Sequence, residues 1–288
     1  MSETSLPQTI SRYFRDNDYA YNAFESGQLW FSNVTDFNDP FDVLPAFGNV
    51  ASQITEQQRK IHSAFTPPSQ DELESILCEM TKLGPHLCKA NFTNKNGVVC
   101  FSAKPDSIVM WAHYASYHQG FVLEFDANHR FFSAPSFQKV DYNDTEVRPR
   151  ADDPDRIQTV FTKGKDWKDE EEFRLILPRE RLKQLDGKEG HYADLPVDAI
   201  KAVYFGCRML PANRDKLLKL LQQPRHKNIL PFQMFPDTKD YRLIPERWSE
   251  SVRERADFFF ELERIGKEAL NSPNFSATLE AFIEKRFQ

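Results

Sequence analysis

Residues 29 to 42 read LWFSNVTDFNDPFD and join a short β-run to an acidic turn that contains a proline. The ring of Pro40 fixes its own φ angle and disfavours a helical conformation at Asp39. The side chains of Asn38, Asp39 and Asp42 are therefore held in directions that the backbone sets. This arrangement is typical of a binding site, and equally of a turn whose side chains cap the backbone and a following helix.

The length and composition predict a globular protein with a sizeable core. The chain has 288 residues, of which 40% are hydrophobic and 28% are charged, which suits one large domain or two small ones. We favour a single α+β domain over residues 1–247, with a helical insertion at about 50–92. A C-terminal helical extension over residues 248–288 carries apolar stripes that suit docking on the body or formation of a homodimer.

The charge balance argues against a long nucleic acid as partner. The formal net charge is −6 and the isoelectric point is about 5.7, although a local basic groove is compatible with these values. No apolar run approaches a membrane span, and the first residues lack the features of a signal peptide. The four cysteines show no C-x-x-C spacing and no disulfide framework. We therefore expect a cytoplasmic, soluble protein that contacts no membrane and holds no metal.

The apolar pattern predicts both strands and helices, which indicates the α+β class. Strands are expected at 12–14, 29–31, 97–102, 121–126, 170–177 and 202–206, and as a final pair in ILPFQMF and DYRLI. Helices are expected at 19–26, 54–65, 105–115 and 213–221, after a capping box at Ser69 and Glu72, and in the extension. Pro231 favours an edge position for the strand ILPFQMF.

The segment TKGKDWKDEEEFRLI carries side chains suited to chemistry, in the pattern W-x-x-E-x-E-x-R over residues 167–174. Residues 170–177 are expected to enter a strand. Because successive side chains of a strand alternate, Glu170, Glu172 and Arg174 would point to one side and their apolar neighbours to the core. Two carboxylates and a guanidinium would then face one surface.

Several blocks together resemble the mostly bacterial domain-of-unknown-function family 2971. The resemblance runs from about Arg12 to about Ile244. It rests on the blocks SRYF, LWFSNVTDFNDPFD, VVCFSAKPDSIVMWAHYASYHQGFVLEFD and TKGKDWKDEEEFRLI, and on the strand Val140-x-Tyr142. The order of FNDPF and then MWAHYA is its most specific element. Membership implies a shared architecture and no particular reaction.

More distantly, the order of the elements resembles the split core of ADP-ribosyltransferase-like proteins. This resemblance implies a split mixed or antiparallel β-sheet core and NAD as the substrate. Those families carry an arginine or histidine, then a serine or tyrosine, and then a glutamate. The matching positions are Arg12, Ser32 and either Glu170 or Glu172, with Glu172 preferred because it lies deeper in the strand.

Further residues complete the NAD site that this resemblance implies. Phe31 or Tyr114 would stack on the nucleotide, and Asn38 and Asp39 belong to the cofactor-binding set. His113 would hold a ribose hydroxyl or move a proton. A fixed carboxylate stabilises the oxocarbenium cation that develops as nicotinamide leaves, and an arginine fork suits the pyrophosphate. The implied function is ADP-ribosyl transfer to an undefined acceptor, or NAD hydrolysis, in a toxin or phage-defence effector.

Structural interpretations compete with these roles. Arg174 is more simply a member of an ion network with Glu170 or Asp42, and for Arg12 the network and the site are equally open. His113, on a helix rich in Trp and Met, is more commonly a hydrogen-bonded core residue than a catalyst.

Two other functions stay open from the sequence. The first is a non-catalytic regulatory module of the same fold that binds a nucleotide, a peptide or a phage-derived trigger. The second is a metal-dependent hydrolase built on Asp36, Asp39, Asp42 and His113, because carboxylates and imidazole suit divalent cations.

Overall fold

Helices and a mostly antiparallel, multi-stranded β-sheet build the fold, so the predicted α+β class is confirmed. The structure, a computed structural model, describes residues 6–46, 69–143, 156–184 and 190–269, together with residues 277, 280 and 284. The helices in these ranges are α1 (Asp18–Ser26), α2 (Gln70–Lys95), α3 (Ile108–Tyr114), α4 (Pro211–Leu221) and α5 (Glu250–Ala269). The strands are β1 (Thr9–Phe14), β2 (Gln28–Phe31), β3 (Asn96–Ser102), β4 (Phe121–Asp126), β5 (Phe137–Lys139), β6 (Asp141–Asn143), β7 (Thr162–Gly164), β8 (Glu172–Pro178), β9 (His191–Asp194), β10 (Ile200–Phe205), β11 (Leu230–Pro236) and β12 (Leu243–Arg247). The helix expected at 54–65 and the apolar stripe expected at Phe282, Ile283 and Phe287 lie outside the described residues.

Contacts within the chain group its residues into two compact units. Unit 1 contains the described residues of 1–27, 102–129 and 196–288, and unit 2 contains those of 28–101 and 130–195. Each unit has its own strands and its own core. The domain boundary expected at residue 247 stays a prediction.

In unit 1, five strands lie side by side in the order β12, β11, β10, β4 and β1. β10 and β11 are parallel, and the other neighbours are antiparallel. On β4, the side chains of Phe121, Leu123 and Phe125 are fully buried, and so is Val122, which points the opposite way. β4 is therefore covered on both faces rather than half-buried, because α3 packs on the face that carries Val122.

The helix α1 begins and ends where its local sequence signals predict. The side chain of Asn17 accepts a backbone N–H of the first turn, and Gly27 ends the helix with a φ of 70°, a conformation that glycine adopts without steric cost. Tyr21 and Phe24 form its buried face and contact the ring of Phe121. α1 thus covers the face of the sheet opposite to α3.

The link between α3 and β4 holds three residues in the left-handed region. Ser116, Tyr117 and His118 have φ angles of 48°, 55° and 71°. A Cβ atom on Gly120, two residues later, would lie 2.0 Å from the carbonyl oxygen of Phe14. The close approach of the β1 backbone therefore requires glycine at this position.

β11 has a neighbouring strand on each side, so the edge position expected from Pro231 is wrong. Pro231 is tolerated because it is only the second residue of the strand. On the face of β11, Phe235 forms an apolar cluster with Val252 and Ala256 of α5. The first helix of the C-terminal extension therefore docks on unit 1, whereas dimerisation stays a prediction.

In unit 2, β3, β8 and β5 lie side by side, β2 pairs with β9, and β6 pairs with β7 in parallel. α2 begins with the predicted capping box, in which Ser69 and Glu72 exchange hydrogen bonds with each other's backbone. It runs through Pro85 to Lys95, slightly beyond the expected end of the insertion. The apolar core of the unit includes Val34, Val43, Val98, Val160, Phe161 and Ile176.

The strand that carries the W-x-x-E-x-E-x-R motif begins later than predicted. β8 starts at Glu172, and Glu170 ends the preceding 3-10 turn, Lys165–Glu170. Between them, Glu171 has a left-handed φ of 44°. The two glutamates therefore do not share a strand, although both are buried.

We expect Gly120→Ala to destabilise the protein by about 2–4 kcal/mol, because the new methyl group would collide with the Phe14 carbonyl oxygen. Gly266→Ala is the matched control, since a Cβ atom there meets no atom within 4 Å and alanine favours a helix by up to about 1 kcal/mol. Urea unfolding of both variants measures the difference. Equal stability of the two variants would contradict the packing seen at Gly120.

Candidate functional site

Five charged side chains of unit 2 are buried together, and each is at most 6% exposed. They come from the acidic turn, β7, the turn before β8 and β8 itself. This ionic cluster consists of Asp42, Lys163, Glu170, Glu172 and Arg174. The acidic turn and the W-x-x-E-x-E-x-R motif, which are separated by more than a hundred residues, thus meet in one place.

Arg174 lies at the centre of the ionic cluster. Its Nη1 and Nη2 donate to the two carboxylate oxygens of Asp42 at 2.8 and 2.7 Å. Its Nε and Nη2 donate to the two oxygens of Glu172 at 2.8 and 2.9 Å, and Nη1 also donates to the carbonyl oxygen of Val160 at 2.7 Å. A guanidinium has five N–H groups, so each of them has an acceptor.

Lys163 supplies the second positive charge of the ionic cluster. Its Nζ lies 2.5 Å from Glu170 Oε2, 3.4 Å from Glu172 Oε2 and 3.6 Å from Asp42 Oδ2. The ammonium also lies 4.6 Å from the centre of the Trp167 ring, a distance at which the ring face attracts a cation. Lys163 therefore bridges all three carboxylates.

Mutual attraction keeps Glu172, Lys163 and Arg174 ionised although they are buried. Burial acts to raise the pKa of Glu172, but the charge and hydrogen bonds of Arg174 and the charge of Lys163 outweigh it and lower the pKa from 4.5 to about 2. Burial acts to lower the pKa of Lys163, but the neighbouring carboxylates raise it above its ordinary value. The pKa of Arg174 is raised in the same way against burial. All three groups are charged at neutral pH.

The remaining residues of the acidic turn have structural partners. Asp39 is buried, and its Oδ1 accepts the N–H of Phe41 at 2.9 Å, as in a side-chain-capped turn. Asn38 is exposed. Asp36 accepts from the side-chain amide of Asn33 at 3.2 Å. Within the described ranges, no group of three or more His, Cys, Asp or Glu side chains is arranged to hold a metal ion.

Three of the predicted site residues belong to unit 1, where Arg12 and α3 lie on opposite faces of the sheet. Arg12 points to the same face as Phe14, and its guanidinium carbon lies 5.5 Å from the centre of that ring. Tyr13 points to the other face and contacts Trp111 of α3, with the ring centres 5.6 Å apart. The structure therefore does not bring Arg12 together with the helix that carries His113.

His113 and Tyr114 are neighbours on α3, with their ring centres 6.2 Å apart. His113 is exposed, so its interpretation as a core histidine is wrong. The other predicted residues belong to unit 2, where Phe31 is buried and Ser32 is exposed. The backbone of Ser32 pairs with that of Val98, which fixes the start of the acidic segment beside β3.

A second fixed arginine of unit 2, Arg179, was not predicted from the sequence and directly follows β8. Its Nε donates to the carbonyl oxygen of Thr93 at 2.6 Å. Its terminal nitrogens contact the side chains of Asn33 and His191. These partners come from three separate segments, so no local pattern could have indicated them. Lys163 was missed for the same reason.

We expect Asp42→Asn to destabilise the protein by about 3–5 kcal/mol, because it removes one charge from a buried, bidentate pair and leaves Arg174 undercompensated. The matched control is Asp194→Asn, which breaks the exposed pair between Lys183 and Asp194 and should cost less than about 1 kcal/mol. Denaturant unfolding measures both. Similar losses in the free energy of unfolding of the two variants would contradict the prediction, since they would show that burial does not increase the cost of removing the charge.

Because the pKa of Glu172 is lowered in the folded protein, a share of the free energy of unfolding depends on pH. The unfolded chain takes up a proton near pH 4.5 and the folded chain only near pH 2, so this share is present above pH 4.5 and is lost as the pH falls towards 2. Between about pH 6 and pH 2, the stability advantage of the wild type over Glu172→Gln should shrink by about 3 kcal/mol. Unfolding at a series of pH values checks this, and a constant advantage would contradict it.

One family model matches the chain, and it covers residues 110–175 with the description "Protein of unknown function (DUF2971)". The match includes most of α3, all of β4 and the cluster residues Lys163, Glu170, Glu172 and Arg174. No curated protein and no solved structure matches the chain significantly. Every helix in the described part of the chain is too short or too polar to cross a lipid bilayer. Over residues 110–175, the chain is therefore similar to the family described as Protein of unknown function (DUF2971).

Proposed function

We propose that the chain is a non-catalytic module that binds a small-molecule nucleotide, and that the ionic cluster is a fixed scaffold rather than a catalytic centre. The observation that carries this proposal is that both carboxylate oxygens of Glu172 already accept hydrogen bonds from other side chains. Its Oε1 accepts from Arg174, its Oε2 accepts from Arg174 and Lys163, and its side chain is 5% exposed.

Cleavage of NAD requires a carboxylate that faces the ribose and stabilises the developing oxocarbenium cation. Both oxygens of Glu172 already accept hydrogen bonds from Arg174 or Lys163 in a buried position, so the carboxylate is not directed towards a ribose. Glu170 is committed in the same way, since it accepts from Lys163 at 2.5 Å and is buried. The two glutamates that the resemblance implied as catalytic are therefore better suited to hold the fold.

Release of Glu172 towards a substrate would carry a large free-energy cost. Arg174 would lose two of its five acceptors while remaining buried, and removal of one partner from a buried pair typically costs about 3–5 kcal/mol. A binding module does not incur this free-energy cost, because the contacts of the ionic cluster stay intact when the ligand binds. In this proposal the ADP-ribosyltransferase-like fold is kept and NAD is a ligand rather than a substrate. A toxin or phage-defence role stays a prediction.

The test is nicotinamide release from NAD by the purified protein, with and without cell lysate as a source of acceptors. We expect no release from the wild type, together with a rise in its melting temperature when NAD or ADP-ribose is added, since a ligand at a hundredfold excess over its Kd stabilises a protein by about 2.7 kcal/mol.

Glu172→Gln and the exposed control Asp169→Asn complete this experiment. Release by the wild type and by Asp169→Asn, but not by a folded Glu172→Gln, would overturn the proposal and establish NAD cleavage by Glu172. Absence of both release and thermal stabilisation by any nucleotide would overturn nucleotide binding.

A further inference from the structure

Arg179 is a half-buried arginine whose position is fixed without any negative charge. The carbonyl oxygen of Thr93 accepts from its Nε at 2.6 Å. The side chain of Asn33 accepts from Nη2, and the ring of His191 accepts from Nη1 through Nδ1. In the described part of unit 2, the hydrogen-bond partners of Arg179 are thus a carbonyl, an amide and an imidazole, all of them uncharged.

A comparison with Arg174 shows which N–H groups of Arg179 have no acceptor among the described residues. Arg174 is paired with two carboxylates and has used all five of its N–H groups. With the described residues Arg179 has used three, apart from a long contact of 3.5 Å between Nη1 and Nε2 of His191, which leaves one N–H on each of its two terminal nitrogens. It makes no ion pair with any described residue. A full positive charge with two unused donors is the arrangement that binds the paired oxygens of a phosphoryl group.

The contacts of Arg179 also determine the tautomer of His191 and the orientation of the Asn33 amide. A guanidinium can only donate, so Nδ1 of His191 must carry no proton and the neutral ring holds its proton on Nε2. The amide of Asn33 is oriented too, because its Nδ2 donates to Asp36 at 3.2 Å while its oxygen faces Arg179. Partial burial, and then the charge of Arg179, lower the pKa of His191, which is consistent with a neutral ring. Among the described residues, the carboxylate of Asp36 bonds to Asn33 and not to Arg179, and Asp36 is exposed.

We propose that Arg179, His191 and Asn33 form an anchored-arginine site that binds a phosphoryl oxyanion of the nucleotide ligand. The inference rests on the proposed binding function for the identity of the ligand and deepens it by assigning the contact and its chemistry. Arg179 thus takes the role of binding the pyrophosphate, which the resemblance to ADP-ribosyltransferase-like proteins implied for Arg12. Anchoring favours binding because the side chain loses little conformational entropy when the ligand arrives.

The test is isothermal titration calorimetry of the full chain with ADP, with inorganic phosphate and with adenosine, which lacks the phosphoryl group. We expect Arg179→Gln to weaken ADP binding about 10- to 100-fold, as loss of charged hydrogen bonds does. Arg181→Gln, an exposed arginine at the end of the same turn, is the matched control and should change the affinity by less than about twofold.

A charge-exchanged double variant keeps the test valid even if Arg179→Gln fails to fold. Asn33→Asp combined with Asp36→Asn exchanges the two side chains, preserves the hydrogen bond between them and leaves the net charge of the chain unchanged. It places a carboxylate directly against Arg179, so the fold should persist while ADP affinity falls at least about tenfold. If Arg179 were only structural, this variant would bind ADP as the wild type does.

The outcomes separate this inference from the proposed function. Arg179-dependent ADP binding by a protein that also cleaves NAD supports the site and overturns the non-catalytic function. ADP binding that neither Arg179→Gln nor the double variant weakens overturns the site and leaves the function standing. Equal affinity for ADP and inorganic phosphate supports the oxyanion site but assigns it to free phosphate, and binding of adenosine as tight as that of ADP overturns it.

Discussion

The structure of unit 2 depends on the compensation of one buried guanidinium. Arg174 is fully buried, and an arginine can lose its hydration only where its N–H groups find acceptors and its charge is balanced. Both conditions are met by residues far apart in the chain, Asp42 from the acidic turn, Glu172 from the same strand and the carbonyl oxygen of Val160. Because each contact uses a different N–H group, the acidic turn, the segment before β7 and β8 are held in one relative arrangement.

The other charges of the ionic cluster follow from this requirement. Two carboxylates around Arg174 give an excess of negative charge, which Glu170 increases and Lys163 offsets. Lys89 lies beside the same turn and donates to the backbone oxygen of Asp42 at 2.6 Å. A network of this kind adds little to stability over a well-packed apolar core, but it is strongly destabilised by the loss of any one member. Its contribution is therefore better understood as specifying which segments meet than as raising the free energy of unfolding.

Local signals in the sequence predicted much of the fold. The capping box of Ser69 and Glu72 and the end of α1 at Gly27 each depend on neighbouring residues alone, so they are visible without a structure. The ionic cluster was predicted only in part, as a network of Arg174 with Asp42 or Glu170. Its full membership depends on contacts between distant segments, which periodicity does not report. The separation of Arg12 from α3 follows from strand alternation, but only once Tyr13 is known to contact Trp111.

Two arginines at β8 show why the densest group of charges need not be the functional one. Arg174 and Arg179 are both fixed by several acceptors, so rigidity does not distinguish them. Charge balance does, because the carboxylates around Arg174 offset its field whereas the acceptors of Arg179 in the described part of the chain are uncharged and leave its field intact. A ligand anion gains little from a cation that is already neutralised, and gains most from one that is immobile, partly desolvated and still uncompensated. By this reasoning, the two catalytic candidates Glu170 and Glu172 belong to the scaffold of unit 2, and we propose that the binding chemistry lies at the other end of the same strand.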